Sequence, residues 1–240
     1  MRIIKTKNYE DMSKKAANIF FSQIIFKPDS ILGLATGSSV LGLYANLIEG
    51  FKKGDLNFSE VITANLDEYV GLGADSDQSY RYYMNNNLFK HINIKKENTY
   101  LPDGLAKDAE AECAKYNKMI ESFGGVDIQL LGLGHNGHIG FNEPGDEFVK
   151  GTHVIELDDS TIKANARFFA DEKDVPKRAM TMGIKNIMQA KKIVLCVSGA
   201  QKSAILAKVL FGGITPQTPG SILQLHPDLT VVADEDALKG

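Results

Sequence analysis

Short apolar runs alternate with longer amphipathic stretches along this chain of 240 residues. The runs are ILGLA from residue 31, VITANL from 61, VDIQLLGL from 126, KIVLCV from 192 and LTVVAD from 229. Between them, helically spaced apolar positions predict helices over 9–26, 39–53, 79–91, 108–123 and 201–211. Strand-length runs that are apolar at nearly every position belong to a sheet covered on both faces, and helices between strands supply the crossovers that parallel pairing needs. An α/β fold with a mainly parallel sheet is therefore expected. The stretch 142–174 follows neither period and is too long for an ordinary connector; such segments commonly serve as lids or hold small elements of their own. One domain over 1–240, with a lid within 142–177, is the organisation that follows.

Composition narrows the partners. Hydrophobic residues make up 43% and charged residues 24%, with a mean hydropathy of -0.15, as in ordinary globular proteins. A formal net charge of -3 leaves no basic footprint for nucleic acid and no polybasic segment for an anionic membrane. A small-molecule partner is favoured. Cys113 and Cys196 have no metal-type spacing and no disulfide framework around them, and the amino terminus MRIIKTKNYEDM lacks an apolar leader core. Free thiols and the absence of a spanning segment give the cytoplasm as the expected location.

The densest chemistry follows the third run. The segment GLGHNGHIGFNEPG at 132–145 would place His135, Asn136, His138, Asn142 and Glu143 just past a strand's carboxyl end, where open parallel sheets bind ligands. A glycine-rich turn can spend its polar side chains on its own backbone. His138 beside Glu143 argues for more, because an imidazole takes and gives protons near neutrality and a carboxylate can orient and charge-stabilise the ring. His135 and His138 lie three apart with no further ligand nearby, so no metal is signalled.

Three more strand ends carry candidates. The first run leads into Thr36, Gly37, Ser38 and Ser39 before a helix, a design that offers unpaired amides and hydroxyls to a phosphate, although hydroxyl residues there are more often simple caps. A second turn of the same kind, SGAQK at 198–202, precedes the helix of AILAKVL. Its Lys202 would sit in the first helical turn, where a cation opposes the helix dipole unless an anion is close or the side chain is solvated. Asp67 ends the run VITANL, with Glu68 and Tyr69 expected in the loop beyond it. An ionised aspartate there suits removal of a carbon-bound proton beside a carbonyl, whereas an isolated DEY is more often a turn. Arg167, in the irregular stretch, could reach a phosphate from a flap.

Together the segments LGLATGSS, NLDEYVGL, LLGLGHNGHIGFNEPG, ANARFF, TMGIKN, SGAQK and LQLHPDLTVV, in this order, resemble the glucosamine-6-phosphate deaminase family over nearly the whole chain. The resemblance implies a Rossmann-like fold and conversion of glucosamine 6-phosphate and water to fructose 6-phosphate and ammonia, a step of amino sugar catabolism, without metal or organic cofactor. It implies Asp67 as the base at C2, and His138, helped by Glu143 and Asn136, as the group that opens the sugar ring. It implies phosphate binding by Gly37, Ser38, Ser39, Arg167 from the lid, and Lys202. Many relatives carry aspartate where this chain has Asn136, so Glu143 is expected to bear the charge and Asn136 to position the ring. Members activated by N-acetylglucosamine 6-phosphate have a carboxyl-terminal extension; this sequence closes on VVADEDALKG, which argues against that activation. Monomer and homo-oligomer both remain open.

Two other readings compete. A 6-phosphogluconolactonase would share the fold and a related histidine loop, but ester hydrolysis has no use for a base at C2, and NLDEYVGL and the NEP ending favour the deaminase. A sugar-phosphate-sensing module would need an output domain, and the first helix is predicted to begin near Tyr9.

Overall fold

The computed structural model describes residues 1–158, 161–163, 169, 171 and 175–240. Seven strands form one parallel sheet: β1 (Arg2–Thr6), β2 (Ile31–Leu34), β3 (Ile62–Asn65), β5 (Thr99–Tyr100), β6 (Ile128–Leu131), β9 (Ile193–Val197) and β10 (Leu229–Asp234). Their spatial order is β1-β10-β9-β6-β2-β3-β5, with every neighbouring pair parallel. The five apolar runs are β2, β3, β6, β9 and β10. All residues of β2, β6, β9 and β10 are buried, so both faces of the sheet are covered, as their unbroken hydrophobicity requires. β1 was missed because RIIKT is mostly exposed and reads as polar; it is an edge strand.

Five helices fall close to the predicted spans: α1 (Tyr9–Phe26), α2 (Leu41–Lys53), α3 (Tyr80–Asn87), α4 (Ala109–Ser122) and α6 (Ser203–Phe211); the short α5 (Ile184–Met188) lies outside every predicted span. Asn8, Ser79 and Asp108 cap α1, α3 and α4 through side-chain oxygens that accept the Asp11, Tyr82 and Ala111 amides. α2 and α6 begin differently, each preceded by a single 3-10 turn, Ser38–Val40 and Ala200–Lys202. No helix is long and apolar enough to cross a membrane among the described residues.

A second sheet corrects the reading of residues 67–69. Asp67–Tyr69 is not a loop but a strand, β4, paired antiparallel with β8 (Arg178–Thr181), which pairs in turn with β7 (His153–Glu156) from the irregular stretch. The chain crosses from one sheet to the other at Leu66, whose amide donates to Leu34 O at 3.0 Å while its carbonyl accepts the Met182 amide at 2.6 Å. Tyr69, Phe141, Leu157 and Ala179 form a small core of their own beneath this sheet.

Candidate active site

Parallel strands direct all their carboxyl ends to one edge, so the sequence candidates converge there without further design. From β2 the chain moves outward through β3 and β5, then returns to β6 on the other side of β2 and proceeds to β9 and β10. The crevice between β2 and β6 is therefore the topological switch point, where such sheets bind ligands. Around it stand the turn after β2, Asp67 after β3, the histidine loop after β6 and the turn after β9. The 3-10 turn Ser38–Val40 reaches across the end of β6 to pack against β9, the strand that leads into the second turn.

Asp67 is held by the junction of the sheets. It is the first residue of β4, opposite Thr181, and only 5% exposed. Burial, and then the charge of Glu68, push its carboxyl up to about 8, so it holds a proton far more tightly than an ordinary aspartate. Glu68 points elsewhere. Its Oε1 accepts the amides of Tyr69 and Tyr80, both at 2.9 Å, and its Oε2 accepts that of Arg81 at 2.8 Å, a clamp on the positive end of α3. Burial nonetheless holds its carboxyl above the usual range.

The histidine loop is tied at almost every residue. Gly134 N donates to His138 O at 2.9 Å and Gly220 N to Gly137 O at 2.8 Å. Any Cβ at Gly134 would meet the His138 ring at 2.4 Å, so glycine is what lets the backbone pass beneath the imidazole. His138 Nδ1 lies 3.2 Å from Glu143 Oε2, which also accepts from Asn136 Nδ2 at 2.7 Å, while Asn136 Oδ1 takes the His138 amide at 3.1 Å. Glu143 Oε1 accepts the Thr161 hydroxyl at 2.6 Å. Burial raises the Glu143 carboxyl, but its bonds to His138, Thr161 and Asn136 outweigh this and leave it below the usual value. It is a fixed anion against the His138 ring, and Asn136 bonds both to this carboxylate and to the His138 amide.

Asn142 proves structural: its Nδ2 donates to Ile139 O and Met182 O, both at 2.9 Å. Thr181 ties the loop to β8, its hydroxyl accepting the Phe141 amide at 3.0 Å. A Cβ at Gly140 would stand 3.0 Å from Thr181 Oγ1 and 3.6 Å from Asp67 Oδ2, which measures how closely the loop approaches the Asp67 carboxyl. Thr161 and Thr181 were absent from the sequence reading. Thr181 lies within TMGIKN, but nothing local to either threonine marks its distant partner.

Both glycine turns have the left-handed backbone that favours glycine, with φ of 99° at Gly37 and 95° at Gly199. Lys202 is not solvated as a surface lysine in a first helical turn would be: it is 9% exposed, and its Nζ donates to Leu133 O at 2.7 Å, at the entrance of the histidine loop. Arg167 lies outside the described residues. Among those described, no cluster of three or more histidine, cysteine or acidic side chains could hold a metal ion.

The protein is thus an α/β protein whose doubly wound sheet gathers a buried acid, a histidine–carboxylate pair and a buried lysine at its switch point. The chain belongs to the family of glucosamine-6-phosphate isomerases/6-phosphogluconolactonase, whose pattern matches residues 9–231. It is 60% identical over 232 residues to a glucosamine-6-phosphate deaminase of Lachnoclostridium phytofermentans, covering 97% of this chain and 98% of that one. Its structure resembles that of a monomeric glucosamine-6-phosphate deaminase with a TM-score of 0.97 at 46% identity, over 99% of this chain and 98% of the other. A 6-phosphogluconolactonase from Trypanosoma cruzi shares the fold, with a TM-score of 0.77 at 19% identity over 98% and 95% of the two chains.

Proposed function

We propose that the protein is a glucosamine-6-phosphate deaminase, releasing ammonia and fructose 6-phosphate from glucosamine 6-phosphate and water. The observation that carries this reading beyond its relatives is Asp67, a buried acid of raised proton affinity beside the histidine loop. Once ionised, a carboxylate shielded from water can remove a carbon-bound proton beside a carbonyl, and a raised proton affinity lets the same carboxyl hold that proton and return it. A lactonase needs no such group.

In this reading His138 moves a proton from the anomeric hydroxyl to the ring oxygen, which opens the sugar to its aldehyde. Glu143 stabilises the ring while it is charged, and Asn136 keeps the pair aligned. Asp67 then takes the proton from C2; the released electron pair forms the C1–C2 double bond while the C1=O π pair moves onto O1, which takes a proton from water, giving an enolamine. Protonation at C1 leaves an iminium at C2; water adds there and ammonia departs, giving the ketose. The amides and hydroxyls of Gly37, Ser38 and Ser39, the Lys202 ammonium and, from the span expected to act as a lid, Arg167 bind the phosphate. The cytoplasm fits a phosphorylated intracellular sugar.

The test is ammonia release, coupled to a dehydrogenase, from glucosamine 6-phosphate and galactosamine 6-phosphate, with hydrolysis of 6-phosphogluconolactone followed in parallel. Ammonia from the gluco isomer is expected. Lactone hydrolysis without ammonia would overturn the reading.

A further inference from the structure

The turn after β2 is gripped from behind. Tyr83 Oη donates to Gly37 O at 2.8 Å and Tyr9 Oη to Ser38 O at 2.9 Å, while Tyr44 Oη donates to Ala35 O at 2.5 Å. Three helices thus each send a tyrosine to a carbonyl in or just before the turn: Tyr9 begins α1, Tyr44 lies in α2 and Tyr83 in α3. The amides of Gly37, Ser38 and Ser39 donate to no group among the described residues. Carbonyls on one side with donors supplied, and amides on the other side left open, is the polarity an anion requires.

The direction of these bonds is fixed. Tyr9 Oη also accepts the Gly42 amide at 2.8 Å, so its own proton must go to Ser38 O. Burial, and then the neighbouring Tyr9, raise the Tyr83 phenol, so it stays protonated and can only serve Gly37 O as a donor. The Tyr83 bond has a second consequence. The start of α3 is clamped by Glu68, next to Asp67, so the chain Asp67, Glu68, α3, Tyr83, Gly37 is a continuous strut between base and turn.

We propose that Tyr9 and Tyr83 are positioning residues for phosphate binding: by occupying the Ser38 and Gly37 carbonyls they keep the peptides of this turn from rotating, so that N–H groups and not carbonyl oxygens meet the substrate. This rests on the assignment of the turn as the phosphate site of a deaminase. A rotated peptide would replace an attractive donor with a repulsive oxygen, and glycine at 37 makes such rotation sterically easy.

The experiment uses Tyr9→Phe, Tyr83→Phe and the double variant, with Tyr82→Phe, an exposed tyrosine of the same helix, as control. Binding of inorganic phosphate is measured by calorimetry, and KM and kcat with glucosamine 6-phosphate. Loss of one such hydrogen bond is expected to weaken phosphate binding and raise KM by about three- to tenfold for each variant, more for the double, with kcat within about twofold. The control should match wild type. Unchanged phosphate affinity and KM in the double variant would overturn the proposal, as would a lowered Tm with phosphate affinity intact, since the tyrosines would then serve packing alone. Phosphate binding weakened by the variants in a protein that releases no ammonia would sink the deaminase reading and leave the brace standing.

Discussion

The turns at Gly37 and Gly199 share a backbone and differ in what surrounds it. Each follows a buried strand, takes a positive φ at glycine and passes through one 3-10 turn into a helix. At the first, the amides are open among the described residues and the carbonyls are occupied. At the second, the Asp234 carboxylate accepts the Gly199 amide at 3.0 Å and the Ser198 hydroxyl, so the position an anion would take is filled by the protein's own. Burial raises the Asp234 carboxyl, but these bonds and the Ala237 amide more than reverse the effect. The second turn is therefore a sealed joint that presents Lys202, and the first is the proposed phosphate cradle. Similar sequence produced similar conformation, and partners contributed by distant strands decided the use.

The largest effect should come from neither turn. Asp67→Asn is expected to lower kcat by at least about a hundredfold while inorganic phosphate still binds, separating chemistry from anchoring. The same variant should be more stable at high pH. A folded-state pKa of about 8 against 3.8 means the fold retains a proton the unfolded chain has lost, so stability falls as pH rises between those values. Removing the acid should raise Tm by at least about 4 °C at pH 9, read by calorimetry, and an unchanged Tm would show the carboxyl to be better solvated than its burial indicates.

Lys202→Ala tests the joint's cargo. Losing a cation that donates to Leu133 O should raise KM by about ten- to a hundredfold with a smaller change in kcat. An unchanged KM would leave Lys202 a structural tie alone. Asp234→Ala opens the sealed turn and should show the opposite signature, a Tm lower by roughly 4–10 °C with KM changed less than about threefold. A KM shift as large as that of Lys202→Ala without loss of Tm would erase the distinction between the turns.

The comparison also marks what the sequence could reveal. Unbroken apolar runs such as KIVLCV and VDIQLLGL made the central strands and their carboxyl edge legible, because burial on both faces is written in local composition. The placement of Asp67, His138, Glu143 and Lys202 beyond the carboxyl ends of these strands was legible for the same reason. The strand Asp67–Tyr69 was not, since a three-residue strand exists only through its partner β8 far along the chain. Asp234 closing the Gly199 turn, and Tyr9 and Tyr83 bracing that of Gly37, are likewise long-range contacts with no periodic signature.

A proton already seated on Asp67 at neutral pH has a consequence for ligand entry. An amino sugar phosphate arrives with an ammonium group on the carbon this carboxyl must address, and a cation that close lowers the carboxyl's hold on its proton. Association should therefore expel hydrogen ion into the medium, and the measured enthalpy of complex formation should vary with the ionisation enthalpy of the buffer. The empty protein would in that case be an acid at rest, turned into a base by the charge of the molecule it consumes.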